Sequence, residues 1–263
     1  MAHTFDTLPS ALRPALQAYL QSLLDVLGDK VDEAILYGGA VLGDFAPAWS
    51  DVDVCTVLST GLSPDEEEAL RSAQHALFVR FVDEHESGWC SRQFVDGPIL
   101  GADLVALEGR RGPAWRVEDG ALAHAPRAEL QPFDRYQIHA FGLRLFGRAV
   151  AVGAPSRDTL RRQLRIDLDR LEVPRLERPI WLASMLHWMA RSLVFWRDGE
   201  FLGKTAALER EIVKGTSLSE PFALALSLRK QGPEACAAHH DALQAHFLAA
   251  APRVLDVLTP LAG

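Results

Sequence analysis

Between residues 8 and 27, apolar side chains return every three or four positions: Leu12, Ala15, Leu16, Tyr19, Leu20, Leu23, Leu24 and Leu27. That spacing predicts a helix with one buried face, stopped by Gly28. A short apolar run follows, Ala34-Ile35-Leu36-Tyr37, cut by Gly38-Gly39. It predicts a buried strand entering a tight turn. A second strand is predicted over residues 53–58, after a loop holding Pro47 and Trp49. Ser63 is placed to cap the next helix, with Pro64 at its first position and acids in its first turn, and that helix runs to about Phe81. Residues 89–95 and 103–107 predict further strands, and the Gly/Arg/Pro-rich stretch 109–113 a loop. Residues 143–146 predict a short strand ending at Gly147, and residues 136–140 before it fit a helix.

From about Ser156 the pattern changes. Strand signals stop, and helical periodicity takes over in residues 158–171, 178–197, 204–213, 220–228 and 233–258. This predicts two domains: an α/β module over residues 1–155 and an all-helical module over residues 156–263.

Composition narrows the function classes. Of 263 residues, 48% are hydrophobic and 24% charged, as in an ordinary soluble protein. The net charge of -8 argues against nucleic acid as partner, because phosphate backbones need Lys and Arg. It suits a neutral or cationic small molecule better. Three cysteines, Cys55, Cys90 and Cys236, are too few for a disulfide framework and point to a reducing compartment. Cys236 lies near His239 and His240, but no second ligand pair accompanies them, so they read as ordinary helix residues. The N-terminus lacks a basic start before an apolar core, and no apolar run reaches the roughly 18 residues of a membrane span. The expected location is the cytoplasm.

The chemistry sits in one stretch, from Leu36-Tyr37-Gly38-Gly39 to Trp49-Ser50-Asp51-Val52-Asp53-Val54. Two glycines after a strand let backbone N–H groups approach a phosphate, and a helix start there favours negative charge. Asp51 and Asp53 flank Val52 at the start of the next strand. Residues two apart on a strand point the same way, so both carboxylates project from one face near the glycine turn. Paired hard oxygens of this kind suit Mg²⁺, completed by triphosphate oxygens. Asp-x-Asp alone is mostly surface charge, and Gly-Gly alone is merely a turn; their order and spacing together carry the signal.

That stretch resembles the signature of the DNA polymerase β-like nucleotidyltransferase superfamily, nearest to its aminoglycoside (streptomycin/spectinomycin) adenylyltransferase branch. The branch typically reads Tyr-Gly-Ser where this chain has Tyr37-Gly38-Gly39, which removes one hydroxyl donor to the triphosphate. The resemblance continues in the helical half. Ala190-Arg191, the aromatic-rich Phe195-Trp196, Gly203 and Lys204 follow the branch's spacing without a gap. It implies an α+β fold with a mixed sheet in the nucleotidyltransferase domain, followed by a helical bundle. It also implies transfer of a nucleoside monophosphate, AMP from ATP, to a hydroxyl of a small-molecule acceptor. Asp51 and Asp53 would hold Mg²⁺. Gly38, Gly39, Arg191 and Lys204 would bind the nucleotide, in a cleft between the domains.

Two positions depart from the branch. A third carboxylate is expected on a neighbouring strand, as general base. Ser91 aligns there and cannot serve; Glu86, just before the predicted strand, is preferred over Asp96 at its far end and over Asp103. The second departure is Trp181, where the branch has an acidic residue facing a cationic drug. An indole there stacks on a ring or fills the core, so aminoglycoside recognition is not carried over. The Ser91 departure leaves an alternative: a catalytically weakened nucleotide-binding protein acting as sensor or antitoxin-like partner.

Overall fold

The computed structural model describes residues 8–46, 48–81, 95–118 and 120–263. The chain divides into two compact units, Met1–Ser156 and Arg157–Gly263.

The first unit is built on a mixed six-stranded sheet in the order β5-β4-β3-β2-β1-β6. Its strands are β1 (Val31–Leu36), β2 (Val52–Leu58), β3 (Val95–Gly101), β4 (Gly112–Glu118), β5 (Ala121–Ala128) and β6 (Leu143–Gly147). Only β2 and β3 run parallel. Helix α1 (Arg13–Leu27) and helix α2 (Pro64–Phe81) cover one face. There Leu16, Tyr19 and Leu23 pack on Val52, Val54 and Leu58. The Tyr19 hydroxyl shares a 3.0 Å hydrogen bond with Thr56 Oγ1, which pairs these two buried hydroxyls. The opposite face carries Ile35, Tyr37, Cys55 and Val57 against Leu104 and Ile138. Strand alternation therefore sends Val52 and Val54 into one core and Asp53 and Cys55 to the other side.

Local signals explain the start of α2. Ser63 Oγ accepts from Glu66 N at 3.3 Å, and Glu66 Oε2 accepts from Ser63 N at 2.7 Å. This reciprocal box satisfies two orphan donors, and Lys30 Nζ ties the same carboxylate to the sheet at 2.7 Å.

The structure differs from, or adds to, the sequence expectations at several elements. Residues 103–107 are not a strand: α3 (Ala102–Ala106) is a short helix. A five-residue apolar run fits either element, and buried Arg135, on α4 (Pro132–Phe141), decides it. Its guanidinium donates to the carbonyls of Leu104, Val105 and Leu107, which so short a helix cannot pair itself. The strand expected at 89–95 has its first six residues outside the described ones; the strand seen, β3, starts at Val95 and runs through Asp96-Gly97-Pro98. That triplet reads as a turn, but Gly97 has φ +142°, and a Cβ there would lie 2.1 Å from the Val54 carbonyl oxygen. The glycine lets β3 press against β2. Last, β4 and β5 form a hairpin that the sequence reading missed, although Asp119-Gly120 is a strong hairpin signal.

The second unit is wholly helical among its described elements. It comprises α5 (Arg157–Glu172), α6 (Pro179–Asp198), α7 (Lys204–Val213), α8 (Ser219–Gln231), α9 (Ala235–Ala238) and α10 (His240–Ala262). The helix expected over 233–258 is thus broken at His239. Leu164, Leu186, Leu193, Leu208, Phe222, Phe247 and Val254 are fully buried in its core. Glu211, 1% exposed, is held by Arg197 and by Lys214 Nζ at 2.9 Å. Cys236 is a buried free thiol, and His240 Nε2 contacts the Leu176 carbonyl at 2.7 Å. No described helix is long and apolar enough to cross a membrane.

Candidate functional site

The strand-to-turn junction at Tyr37-Gly38-Gly39 forms because the chain must reverse beside β2. The Tyr37 amide donates to the Asp53 carbonyl at 2.9 Å, and the chain then enters a single 3-10 turn, Gly38–Ala40. Gly38 has φ +72°, and a Cβ on it would lie 1.9 Å from Asp53 Oδ2. Both facts require glycine: L side chains avoid that φ, and none fits against the carboxylate. The turn and the Asp53 carboxylate are therefore in direct contact. Gly39 differs. A Cβ there meets nothing nearer than the Asp44 carbonyl oxygen at 3.4 Å and Ser50 Oγ at 3.8 Å. The loop back to β2 is knitted by Asp44 N to Gly39 O at 2.9 Å, Ser50 N to Ala46 O at 2.8 Å and Ala46 N to Ser50 Oγ at 3.1 Å.

Asp51 precedes β2 and Asp53 is its second residue, both half-buried. Asp96, second on β3 and 7% exposed, stands directly beside Asp53 in the parallel register. Neighbouring in-register residues of adjacent strands lie about 4.8 Å apart, so the two are backbone neighbours; Asp53 acts on Tyr37 and Arg116, and Asp96 on Tyr19. Asp96 is thus followed by strand as far as Gly101 and does not lie at the far end expected. Asp103 is elsewhere: beyond the opposite end of β3, largely exposed, bonded to Arg110 Nε at 3.2 Å. Glu86 and Ser91 lie outside the described residues.

The sequence reading missed the partners on this face. Arg116 stands opposite Pro98 on β4, and its Nη1 lies 3.9 Å from Asp134 Oδ2 on α4. Burial works against the Arg116 charge, but Tyr37, Asp134, Glu118 and Asp53 outweigh it and raise its pKa. Burial, reinforced by Asp134 and Asp53, lifts the Tyr37 phenol well above its usual range. Its hydroxyl is buried and makes no hydrogen bond to a described residue. Period-two alternation from Ala114 to Arg116 is the signal that would have assigned Arg116 to this face.

Among the described residues, no three His, Cys, Asp or Glu side chains form a ready-made metal-holding group. Mg²⁺ does not need one: one or two carboxylates suffice when substrate phosphates complete the shell. The donor set here, Asp51 and Asp53 beside a glycine whose side chain would overlap the Asp53 carboxylate, fits that requirement.

The second unit gathers cations of its own. The Arg191 guanidinium, on α6, stacks over the Phe201 ring at 5.1 Å. Lys204 is the first residue of α7, and Arg229 Nε on α8 donates to Thr205 Oγ1 at 2.9 Å. Beneath them His187 is 1% exposed, its Nε2–H donating to the Ala225 carbonyl at 3.2 Å. Burial first, then the fields of Lys204, Arg229 and Arg191, bring its pKa down to about 3, so it is neutral. Trp181 packs at 5.5 Å on Phe247 and also borders a cavity of about 470 Å³ with Asp169, Arg170, Val173 and Arg175.

No protein family and no curated protein sequence matches the chain. Among solved structures it is similar to the spectinomycin adenyltransferase AAD(9) from Enterococcus faecialis, crystallised with ATP and spectinomycin. The identity is 13% and the TM-score 0.66, over 89% of this chain and 98% of that one. At that identity the likeness concerns the fold: this chain has the fold of an aminoglycoside adenylyltransferase, in both its sheet-bearing and its helical parts.

Proposed function

We propose that the chain is an Mg²⁺-dependent nucleotidyltransferase that moves AMP from ATP to a hydroxyl of a small-molecule acceptor. The observation that carries this reading is the contact between the Gly38 turn and the Asp53 carboxylate, with Asp96 in register beside it. The turn's backbone N–H groups bind phosphate oxygens, for which a side chain at Gly38 would leave no room. Asp51 and Asp53 would hold the metal, which when bound would offset charge on the triphosphate. Asp96 is the general base: it stands on the neighbouring strand, and its carboxylate takes the proton of the acceptor hydroxyl as that oxygen attacks the α-phosphorus. By the resemblance, Arg191 and Lys204 of the helical unit are the cations proposed to bind the nucleotide. The alternative, a catalytically weakened nucleotide-binding protein, was motivated by Ser91 at the aligned position; Asp96 on the neighbouring strand is the carboxylate that favours the enzyme over it.

The acceptor is a small molecule rather than a nucleic acid, in keeping with the net charge of -8. Spectinomycin is the first acceptor to try, because the AAD(9) structure contains it. Isothermal titration with ATP and Mg²⁺, paired with pyrophosphate release over a panel of aminocyclitol and aminoglycoside acceptors, tests the proposal. Binding with turnover is expected. Binding without turnover on any acceptor selects the sensor, and no binding rejects both.

A further inference from the structure

We propose that Arg116 is a standing counter-ion of Asp53: it offsets that carboxylate before nucleotide arrives, so that a bare divalent cation binds poorly and the metal enters with ATP. This deepens the nucleotidyltransferase reading above and rests on it.

All the residues involved belong to the sheet-bearing unit. Ala114 on β4 packs in the core that holds Tyr37, Cys55 and Ile138. Strand alternation puts Arg116, two residues on, on that same side, as it puts Asp53 two residues before Cys55. Asp134 stands one turn before Ile138 on α4 and borders the same core. Three charged groups therefore rim one patch of the sheet, around Tyr37.

Arg116 Nη1 lies 3.9 Å from Asp134 Oδ2, too far for a hydrogen bond, and the arginine side chain is 44% exposed. So loose and wet an ion pair contributes little to stability. It leaves the guanidinium's field to act more widely. Burial opposes the Arg116 charge, and Tyr37, Asp134, Glu118 and Asp53 together outweigh burial. Tyr37, whose amide donates to the Asp53 carbonyl, is acted on in turn by Asp134, Asp53 and Arg116.

A cation near Asp53 stabilises the bare carboxylate and repels a second cation placed on it. That sign holds whatever else Asp53 contacts. Mg²⁺ alone binds against the repulsion, whereas Mg·ATP carries net negative charge and is attracted. Removing an arginine that serves structure alone lowers affinities; removing a counter-ion raises the affinity for free metal.

The test measures Mn²⁺ binding to the nucleotide-free, full-length protein, by calorimetry and by the electron paramagnetic resonance of unbound Mn²⁺. Arg116→Gln is expected to bind Mn²⁺ about three- to tenfold more tightly than wild type, and to bind Mg·ATP no more tightly. Arg116→Met, which keeps the apolar stem, should do the same and stands in should the glutamine variant fail to fold. Arg116→Lys keeps the charge and should stay within about twofold of wild type, as should Arg127→Gln, the same charge change on exposed β5. The gain should vanish when Asp53→Asn is added. Folded Arg116→Gln and Arg116→Met proteins that bind Mn²⁺ no better than wild type overturn the inference. So does an equal gain in Arg127→Gln, or a gain that survives Asp53→Asn. If wild type binds no ATP with Mn²⁺ present, the nucleotidyltransferase reading falls, and this inference with it. Wild-type ATP binding with no gain in either Arg116 variant sinks the counter-ion role alone.

Discussion

Two glycines side by side make different demands. Gly38 cannot carry a side chain, since its φ is +72° and Asp53 Oδ2 occupies the space. A Cβ at Gly39 meets the Asp44 carbonyl oxygen at 3.4 Å and Ser50 Oγ at 3.8 Å, both ordinary contacts. Serine there is expected to fold normally and to tighten ATP binding several-fold by adding a hydroxyl donor to a phosphate, whereas Gly38→Ala should lose ATP binding; calorimetry on both variants checks the pair. The aspartates make a second residue-level prediction. Asp96→Asn is expected to lower kcat by about 10²–10⁴ while the Kd for ATP stays within a few-fold, as for the loss of a general base. Glu86→Gln should show no comparable loss. Single-turnover kinetics on the two variants decides between these carboxylates, and a large loss in Glu86→Gln alone would reverse the assignment. The glycine pair and the Asp-x-Asp spacing were legible in the sequence because they are local. The run of β3 past Asp96 was not legible because Gly97 looks like a turn, and only strand pairing reveals that the glycine admits the Val54 carbonyl.

At the scale of elements, α6 contains a pH-sensitive packing contact. Folded His187 stays neutral down to about pH 3, while the unfolded chain takes up a proton near 6.5. Its contribution to stability is therefore complete above pH 6.5 and falls as the solution is acidified, by about 1.4 kcal/mol per unit. Between pH 7 and pH 5 the wild type is expected to lose about 2 kcal/mol more than His187→Gln; urea unfolding at the two pH values measures the difference. Equal losses would mean that His187 takes up its proton without unfolding. The long helices of the second unit were legible from period alone, as was α2 from Ser63 and Pro64. Short elements were not. The α3 run fits strand or helix until Arg135, distant in sequence, bonds its carbonyls. The β4–β5 hairpin lies in a stretch whose Gly and Arg content masks the alternation of Trp115 and Val117.

At the scale of the molecule, the fold class followed from the change of periodicity near Ser156 and from the quoted motifs, and the structural likeness to AAD(9) agrees with it. What the sequence could not reveal was tertiary: Arg116 with Asp134 on one face of the sheet, and Arg229 with Thr205 across two helices. Each pair joins residues with no local signal for one another. The parallel pairing of β2 and β3 has one more consequence. A hairpin would bring its strands together early, but these two are joined by a long crossover that includes α2, and such distant contacts form slowly. Asp53 and Asp96 are strangers until that crossover closes. During refolding, helical signal should thus recover before nucleotide affinity, and stopped-flow circular dichroism alongside a fluorescent ATP analogue would show the lag. A ribosome-bound chain ending before Val95 would carry the glycine loop and still lack half of its acidic pair.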